Sequence, residues 1–247
     1  MKTIQLTAMA MPFTIKLVAP ATRPLTAAQI TTVQTNILTY LTHIDDDFSP
    51  FKTDSLVSRY QHDQLKAADF TAEFQEVYAF ADTAMTLTKG AFNPFFNNHY
   101  DSTGLVKGWA IQRAFERFLQ PHLLDGTLVA AAINGAGDMQ LGVAEGETFT
   151  WHIGIEYPQA PDHLCHQYAL QNGAIATSGT SRHGEHIVRT DHQKTLQQAT
   201  ILSLDLIEAD ILATAAVSMG QSAFLQFSQQ YSTAGLLIDQ NDCAIAI

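Results

Sequence analysis

The residues with the clearest chemical potential lie in the segment 208–220, Glu-Ala-Asp-Ile-Leu-Ala-Thr-Ala-Ala-Val-Ser-Met-Gly. We predict that this segment is a helix and that it follows a strand. Side chains four residues apart lie on the same face of a helix, so the carboxylate of Asp210 is expected beside the hydroxyl of Thr214. A few hard oxygen ligands suit Mg²⁺, which completes its coordination with water and substrate phosphates. The pair therefore predicts a magnesium site on one helical face.

The same two residues also have a purely structural interpretation. Asp210 falls in the first turn of the predicted helix, where a carboxylate can serve as a cap or is favoured by the helix dipole. Thr214 would then be a polar residue without a ligand. The helix alone leaves both interpretations open. The opposite face, which we predict to pack in the core, carries Leu212, Ala215, Ala216 and Met219.

A candidate anion site lies where a glycine-containing loop enters a helix, at residues 101–109. The first N–H groups of a helix have no partner within the helix, so they can bind a phosphate. Lys107 would add a positive charge close to this helix start. A lone Gly-x-x-Lys-Gly motif does not by itself identify a phosphate site.

Composition restricts the class of protein. The 247 residues are 46% hydrophobic, which is enough for one large domain or two small ones. A formal net charge of -11 argues against nucleic acid or an anionic membrane as the main partner. The two cysteines cannot form a disulfide scaffold, and no apolar run approaches the roughly 20 residues that span a bilayer. We therefore predict a soluble, cytoplasmic protein.

Amphipathic helices are predicted in the first half of the chain. Thr26 and Gln29 form a capping-box pattern ahead of apolar residues at helical spacing. The acidic triplet at 45–47 ends this first helix, and we interpret it as a solvated helix end rather than a cation site. The predicted helices are 30–44, 71–89, which stops at Gly90, and 106–119, which Pro121 closes.

The second half of the chain is predicted to consist mostly of strands. The last two strands flank a hairpin turn at 239–242, and apolar alternation around Pro12 indicates strand pairing or a bulge near the start of the chain. Runs of strands separate from the helices indicate an α+β fold, and we expect one structural unit over residues 1–247. The predicted strands are 127–133, 138–143, 148–155, 174–177, 185–188, 199–206, 236–238 and 243–247.

Taken in chain order, the motifs resemble those of one family, the FAD:protein FMN transferases, known as the ApbE flavin transferases. The resemblance extends over nearly the whole chain, and no single motif carries it. The Lys-Gly-Trp at 107–109 resembles the compact cytosolic members. The matching segments are 9–11, 48–49, 54–59 (Asp-Ser-Leu-Val-Ser-Arg), 90–94 (Gly-Ala-Phe-Asn-Pro), 101–110 (Asp-Ser-Thr-Gly-Leu-Val-Lys-Gly-Trp-Ala), 137–138, 151–158, 176–179, 186–187 and 209–215.

The resemblance implies an α+β, ApbE-like fold of mixed, largely antiparallel sheets with helices packed on them. It also implies an activity, protein flavinylation. In this magnesium-dependent reaction the FAD pyrophosphate is cut, FMN passes to a Ser or Thr hydroxyl of an acceptor flavoprotein, and AMP is released. The implied partners are thus FAD, Mg²⁺ and the acceptor flavoprotein.

The resemblance also assigns individual residues. Carried over position by position, the metal ligands are Asp210, Thr214 and the carbonyl of Gly104. The general base for the acceptor hydroxyl is His186, since a neutral imidazole can accept a proton near pH 7. The positions that contact FAD are Met9, Phe51, Ala91, Phe92, Asn93, Asp101, Lys107 and Ile187.

Three departures from the family pattern motivate an alternative hypothesis. Asn93 replaces an acidic residue, Gln61 stands where the family has Asn, and the pair 189–190, Arg-Thr, replaces Asp-Pro. The alternative is a protein that binds or stores FAD, or slowly hydrolyses it to FMN and AMP without transfer. A third hypothesis is a non-flavin domain whose motifs serve only as turns and caps. The sequence identifies neither the acceptor protein and its target residue nor the oligomeric state.

Overall fold

The structure is a computed structural model that describes residues 1–96, 99–179 and 190–247. Its strands are β1 (Lys2–Ala8), β2 (Met11–Val18), β3 (Phe95–Phe96), β4 (His99–Tyr100), β5 (Ala130–Gly135), β6 (Asp138–Val143), β7 (Trp151–Tyr157), β8 (Ala160–Leu170), β9 (Gly173–Gly179), β10 (Leu196–Ser203), β11 (Ala234–Asp239) and β12 (Ala244–Ala246). Its helices are α1 (Ala27–Phe48), α2 (Leu56–Gln61), α3 (Ala72–Leu87), α4 (Thr103–Phe118), α5 (Gln120–Leu124), α6 (Leu206–Met219) and α7 (Gln221–Tyr231).

Eight strands form one sheet in the order β1-β2-β5-β6-β9-β10-β11-β12. Each neighbouring pair in this sheet is antiparallel. Both ends of the chain therefore contribute to the same sheet, β1–β2 at one edge and β11–β12 at the other. The pairs β3–β4 and β7–β8 form separate two-stranded sheets. The predicted α+β class with largely antiparallel sheets is confirmed.

The first hairpin turns at Met9 and Ala10, whose φ angles are 50° and 56°. Two successive positive φ values are what a two-residue type I′ hairpin turn requires. Pro12 lies within β2 opposite Thr7, in a register that runs regularly from Lys2 to Ala8. The predicted pairing around Pro12 is thus confirmed, and it involves no bulge between β1 and β2.

The two faces of the large sheet are covered differently. Helices α1, α4 and α6 pack on one face, with α6 lying against β9 and β10 and also against α4. The β7–β8 hairpin covers part of the other face, where Trp151, Ile153 and Ile155 pack against Ala132 and Leu141 of the sheet. This arrangement places a hairpin opposite the helical layer, with the sheet between them.

Helix α6 differs from its prediction in two ways. Ile211 and Ala213, which lie outside the predicted core face, are buried as well, because α6 is enclosed between the sheet and α4. The helix begins at Leu206, and Asp205 is its N-cap position. Asp210 therefore lies beyond the first turn, and its interpretation as a cap or first-turn anion is wrong.

Several element boundaries also differ from prediction. Strand β10 ends at Ser203 rather than at 206, and Pro121 lies inside α5 rather than closing a helix. The acidic triplet forms the last turn of α1, where Lys52 forms ion pairs with Asp45 and Asp46. The sequence patterns did not predict β8 or α7. The strand predicted at 185–188 lies outside the described residues.

Two further expectations can be compared with the structure. Cys165 and Cys243 are both free thiols, which is compatible with the predicted lack of a disulfide scaffold. Within the described ranges, no helix combines the length and the apolar character needed to cross a bilayer.

Candidate active site

A cleft of about 500 Å³ lies between the β7–β8 hairpin and the large sheet. The turn between β5 and β6 and the end of β9 form its walls, together with the first residues of β2. The side chain of Lys107 reaches this cleft from α4, on the helical side of the sheet. Polar lining residues include Thr14, Asn134, Thr177, Ser178 and Gln198.

Lys107 lies between two buried carboxylates. Its Nζ is 2.5 Å from Oδ2 of Asp138 and 4.0 Å from Oδ1 of Asp210. Asp138 begins β6 and is 1% exposed, and its Oδ1 accepts a hydrogen bond from the backbone N–H of Thr177 at 2.9 Å. Asp210 is 3% exposed. Three elements that are distant in sequence thus bring two negative charges and one positive charge to the edge of the cleft.

Burial and charge oppose each other in this cluster. Burial lowers the pKa of Lys107, but the nearby carboxylates of Asp210 and Asp138 more than offset this and raise it above its ordinary value. Burial raises the pKa of Asp210 to about 7, since Lys107 and the amide of Gly108 only partly counteract desolvation and the like charge of Asp138. One lysine therefore does not fully compensate two buried carboxylates, and the cluster favours a further cation.

The position of Asp210 depends on close packing between α4 and α6. The N–H of Gly108 donates to Oδ2 of Asp210 at 3.2 Å. In a regular α-helix this N–H would donate to the carbonyl of Gly104, so a donor of α4 is directed at least partly towards the carboxylate. A Cβ atom at residue 108 would lie 2.8 Å from Oδ2 of Asp210. Only glycine allows this contact without displacement.

Thr214 follows Asp210 by one helical turn and faces the same side of the molecule. Its Oγ1 is 3.0 Å from Oγ of Ser178, a residue that lines the cleft. The neighbouring Thr177 forms an equivalent hydroxyl contact of 2.9 Å with Thr200 on β10. The hydroxyl of Thr214 and the carboxylate of Asp210 are thus both connected to the cleft. The predicted pairing of these two side chains on one face is consistent with this arrangement.

Two buried glutamines hold the start of α6. The helix lacks a side-chain cap of its own. Instead, Oε1 of Gln140 accepts from the N–H of Leu206 and Oε1 of Gln112 accepts from the N–H of Ile207, each at 3.1 Å. Gln112 lies on α4 with Lys107, and Gln140 lies on β6 with Asp138. The elements that carry the charged cluster therefore also fix the helix that carries Asp210.

The donor set around Asp210 fits a magnesium ion. A buried carboxylate and a neighbouring hydroxyl are hard oxygen donors, the kind that Mg²⁺ prefers. Another group of potential ligands in the described residues, His43, Asp47 and Glu73, joins α1 to α3 and includes a 2.8 Å contact between His43 and Glu73. Arg117 also pairs with Glu73 at 3.2 Å, so this group is explained as an ion-pair network.

The structure describes seven more of the predicted site residues. Gly104 lies in the exposed first turn of α4, and Asp101 accepts from the N–H of Thr103 at 2.8 Å. Asn93 accepts from the N–H of Phe95 at 2.9 Å, and Phe51 is 92% exposed. Ala91 and Phe92 are buried, and Met9 is half-buried in the β1–β2 turn. The predicted flavin-contacting residues among the described ones do not line the cleft, apart from Lys107.

Two assignments cannot be placed, and one departure has a structural explanation. His186 and Ile187 lie outside the described residues, as does Arg189. Gln61, which departs from the family pattern, donates from Nε2 to the carbonyl of Tyr100 at 2.6 Å and so connects α2 to β4.

Asp138 and Ser178 are the site residues to which the sequence motifs gave no role. Both lie in segments that match the family pattern, and that match was the available signal. Gln112 and Gln140 had no such signal.

The chain has relatives of known fold. The flavin transferase ApbE from Vibrio cholerae superposes with a TM-score of 0.75 at 18% identity, over 99% of this chain and 97% of that one. The ApbE protein from Thermotoga maritima gives 0.75 at 18% identity, over 99% and 96%. The apo form of the flavinyl transferase ApbE from Pseudomonas stutzeri gives 0.78 at 15% identity, over 99% and 94%.

Sequence comparison gives the family directly. No curated protein matches the chain by sequence. The model of the ApbE family matches residues 96–237, a range that includes Lys107, Asp138, Asp210 and Thr214. Because the match covers more than half of the chain, and because the fold agrees along almost its whole length, the chain belongs to the ApbE family.

Proposed function

We propose that this protein is a flavinyltransferase that moves FMN from FAD to a Ser or Thr hydroxyl of an acceptor flavoprotein and releases AMP, with Mg²⁺ as its metal. The observation that carries the proposal is the cluster of Lys107, Asp138, Asp210 and Thr214 at the edge of a cleft. A cluster with one lysine and a deficit of positive charge suits a divalent cation and a pyrophosphate. Family membership and the similarity to solved structures of flavin transferases support the same activity.

The proposed ligands of Mg²⁺ are Asp210, Thr214 and the carbonyl of Gly104. When bound, Mg²⁺ would neutralise charge on the pyrophosphate, which phosphoryl transfer chiefly requires. Lys107 adds a second positive charge that faces the cleft and is held in place by Asp138. The β7–β8 hairpin covers the opposite side of the cleft, so these charges act where water is partly excluded.

The chemical step is a displacement at phosphorus. The acceptor hydroxyl oxygen attacks the phosphorus atom on the FMN side of the pyrophosphate, and the bond from that phosphorus to the bridging oxygen breaks. AMP leaves with the bridging oxygen, and FMN remains as a phosphoester of the acceptor. We assign the proton of the attacking hydroxyl to His186. A general base of this kind typically contributes about 10²- to 10⁴-fold in rate.

The wider assignments remain predictions of the same proposal. Residues 1–247 are proposed to act as one domain, because strands from both ends join one sheet. The FAD contacts are proposed at Met9, Phe51, Ala91, Phe92, Asn93, Asp101 and Ile187, in addition to Lys107. A cytoplasmic location remains a prediction from composition.

The proposal is tested by covalent labelling. The protein is incubated with FAD, Mg²⁺ and a bacterial protein extract as the source of acceptor, and flavin fluorescence is read in a denaturing gel. We expect a fluorescent band that survives denaturation, and at least about 100-fold weaker labelling by Asp210→Asn, in keeping with the loss of a main electrostatic group. Unimpaired labelling by this variant would exclude the metal assignment.

One observation favours a second function. Asn93 uses its side-chain oxygen to hold a turn through the N–H of Phe95, and so offers no acid where the family has one. The alternative is an FAD-binding or storage protein, or a slow FAD pyrophosphatase. Release of AMP without acceptor, combined with no labelling in its presence, would select this alternative.

A further inference from the structure

We infer that Asp138 is a positioning residue that holds the ammonium group of Lys107 away from Asp210 and so keeps the Asp210 carboxylate available for a divalent cation. The inference rests on the proposed function, because it concerns the proposed metal ligand. Asp138 itself is not a proposed ligand.

The distances show which carboxylate holds the lysine. Nζ of Lys107 is 2.5 Å from Asp138 and 4.0 Å from Asp210. Because Coulomb energy falls inversely with distance, the attraction to Asp138 is about 1.6 times the attraction to Asp210 at equal dielectric constant. Lys107 keeps 25% of its side-chain surface exposed to the cleft, so its ammonium group has space to change partner.

Asp138 is itself fixed in place. It is the first residue of β6, directly after a tight turn in which Ala136 and Gly137 have φ angles of 54° and 108°. The amide of Thr177 on the neighbouring strand binds its other oxygen at 2.9 Å. A carboxylate with so little freedom provides a rigid anchor for the flexible lysine.

The charges explain why the anchor matters. With both carboxylates ionised, as when a cation is bound, Asp138, Asp210 and Lys107 together carry a net charge of one negative unit in a buried setting, which favours that cation. If Asp138 were neutral, Asp210 would be the nearest negative partner for Lys107. The ammonium group would then occupy the space beside Asp210 that the cation requires.

The test measures binding of Mn²⁺, an oxygen-preferring ion that stands in for Mg²⁺, to the full chain without FAD. Free Mn²⁺ is counted by electron paramagnetic resonance. The variants are Asp138→Asn, Lys107→Met and the double variant. Asn at 138 keeps an oxygen that can accept from Thr177, and the double variant restores the net charge of the wild type. Melting temperatures without metal control for folding.

We expect Asp138→Asn to weaken Mn²⁺ binding about tenfold, within the range of coupling between contacting residues. The double variant should bind within about threefold of the wild type. The gain from Lys107→Met should be at least about fivefold larger in the Asp138→Asn background than in the wild type, because only there does the lysine occupy Asp210.

Equal gains in the two backgrounds would mean that only net charge matters, and would overturn the inference. If Asp138→Asn does not fold, the double variant still decides, because binding tenfold weaker than wild type would also overturn it. The variant Asp210→Asn distinguishes a failure of the proposed metal site from a failure of the inference about Asp138. If that variant bound Mn²⁺ as tightly as wild type, the proposed metal site would fail; if it lost binding while the gains were equal, only the role of Asp138 would fail.

Discussion

Two regions of the molecule carry the predicted contacts, and they are built in opposite ways. The charged cluster is assembled from α4, β6 and α6, and each of its contacts joins residues far apart in sequence. The segments 48–59 and 90–96 are instead held mostly by hydrogen bonds between residues close in sequence. Examples are Ser55 to the carbonyl of Ser49 at 2.7 Å and Ser58 to the carbonyl of Pro50 at 3.2 Å.

Under the proposed function, this difference assigns different roles to the two regions. Charge stabilisation requires groups that do not rearrange during the reaction. Buried elements that are joined by ion pairs and hydrogen bonds provide such groups. Binding a large ring system needs accessible apolar surface, and the loop at 48–59 presents Phe51 almost fully exposed. The serines of the family-matching segments 48–49 and 54–59 have a structural role, since their hydroxyls form the hydrogen bonds that shape the segment around Phe51.

The largest expected effect is the pH dependence of the free energy of unfolding that Asp210 of the charged cluster causes. A carboxyl whose pKa is higher in the folded than in the unfolded state stabilises the protein fully below the unfolded value, 3.8 for Asp210, and loses that contribution as pH rises through about 7. Without metal, the free energy of unfolding of the wild type should therefore fall from pH 4 to 7 relative to Asp210→Asn. The slope should be at most about 1.4 kcal/mol per pH unit.

Urea unfolding with a chelator present, at several pH values, measures this difference. Asp210→Asn is a close control because the amide oxygen can still accept from Gly108. Parallel pH profiles for the two proteins would mean that Asp210 is not destabilised by burial, and the contrast between the two regions would lose its electrostatic basis.

The same contrast explains what could be predicted from the sequence. Helix α1 was predictable because its start is local: Thr26 and Gln29 form both bonds of a capping box. Strand β6 was predicted with its observed bounds, since its residues alternate between the two covered faces of the sheet. Signals of this kind depend only on residues that are close together in the sequence, so the sequence alone is enough to recognise them.

The parts that were missed depend on distant residues. The caps of α6 come from Gln112 and Gln140, which are 95 and 66 residues away from the amides they bind. Strand β8 is mostly exposed and pairs with β7 in a separate sheet, so its sequence carries little apolar alternation. Helix α7 follows directly on Gly220, which the sequence pattern indicated as a helix end rather than as a junction.

An intermediate effect on stability is expected from a substitution at the contact between α4 and α6. In Gly108→Ala the new Cβ would lie 2.8 Å from the Asp210 carboxylate, so either the Asp210 side chain or one of the two helices must shift. Overpacking of this kind typically costs about 1–3 kcal/mol, and Mn²⁺ binding should weaken with it. Gly104→Ala, one turn earlier, is the matched control: its nearest neighbour is Phe92 at 3.4 Å, an ordinary contact. Alanine there should stabilise the helix by up to about 1 kcal/mol.

Thermal unfolding and Mn²⁺ titration of both glycine variants decide between packing and helix propensity. If Gly108→Ala were as stable as Gly104→Ala and bound metal normally, the close approach of α4 to Asp210 would be unnecessary for the site.

The smallest effect on stability is expected in the exposed loop, where the effect on ligand should be selective. Phe51→Ala removes a side chain that is 92% exposed, so the free energy of unfolding should change by less than about 0.5 kcal/mol. The affinity for FAD, measured by quenching of flavin fluorescence, should fall about three- to tenfold if the ring contacts the flavin, as expected for an aromatic pair.

Phe48→Ala, three residues earlier, is the matched control because Phe48 is buried against Phe74 and Trp109. It should cost about 3–5 kcal/mol. Unchanged FAD affinity in Phe51→Ala would remove the segment 48–59 from the binding site and leave the charged cluster and the segment 90–101 as the candidates for ligand contact.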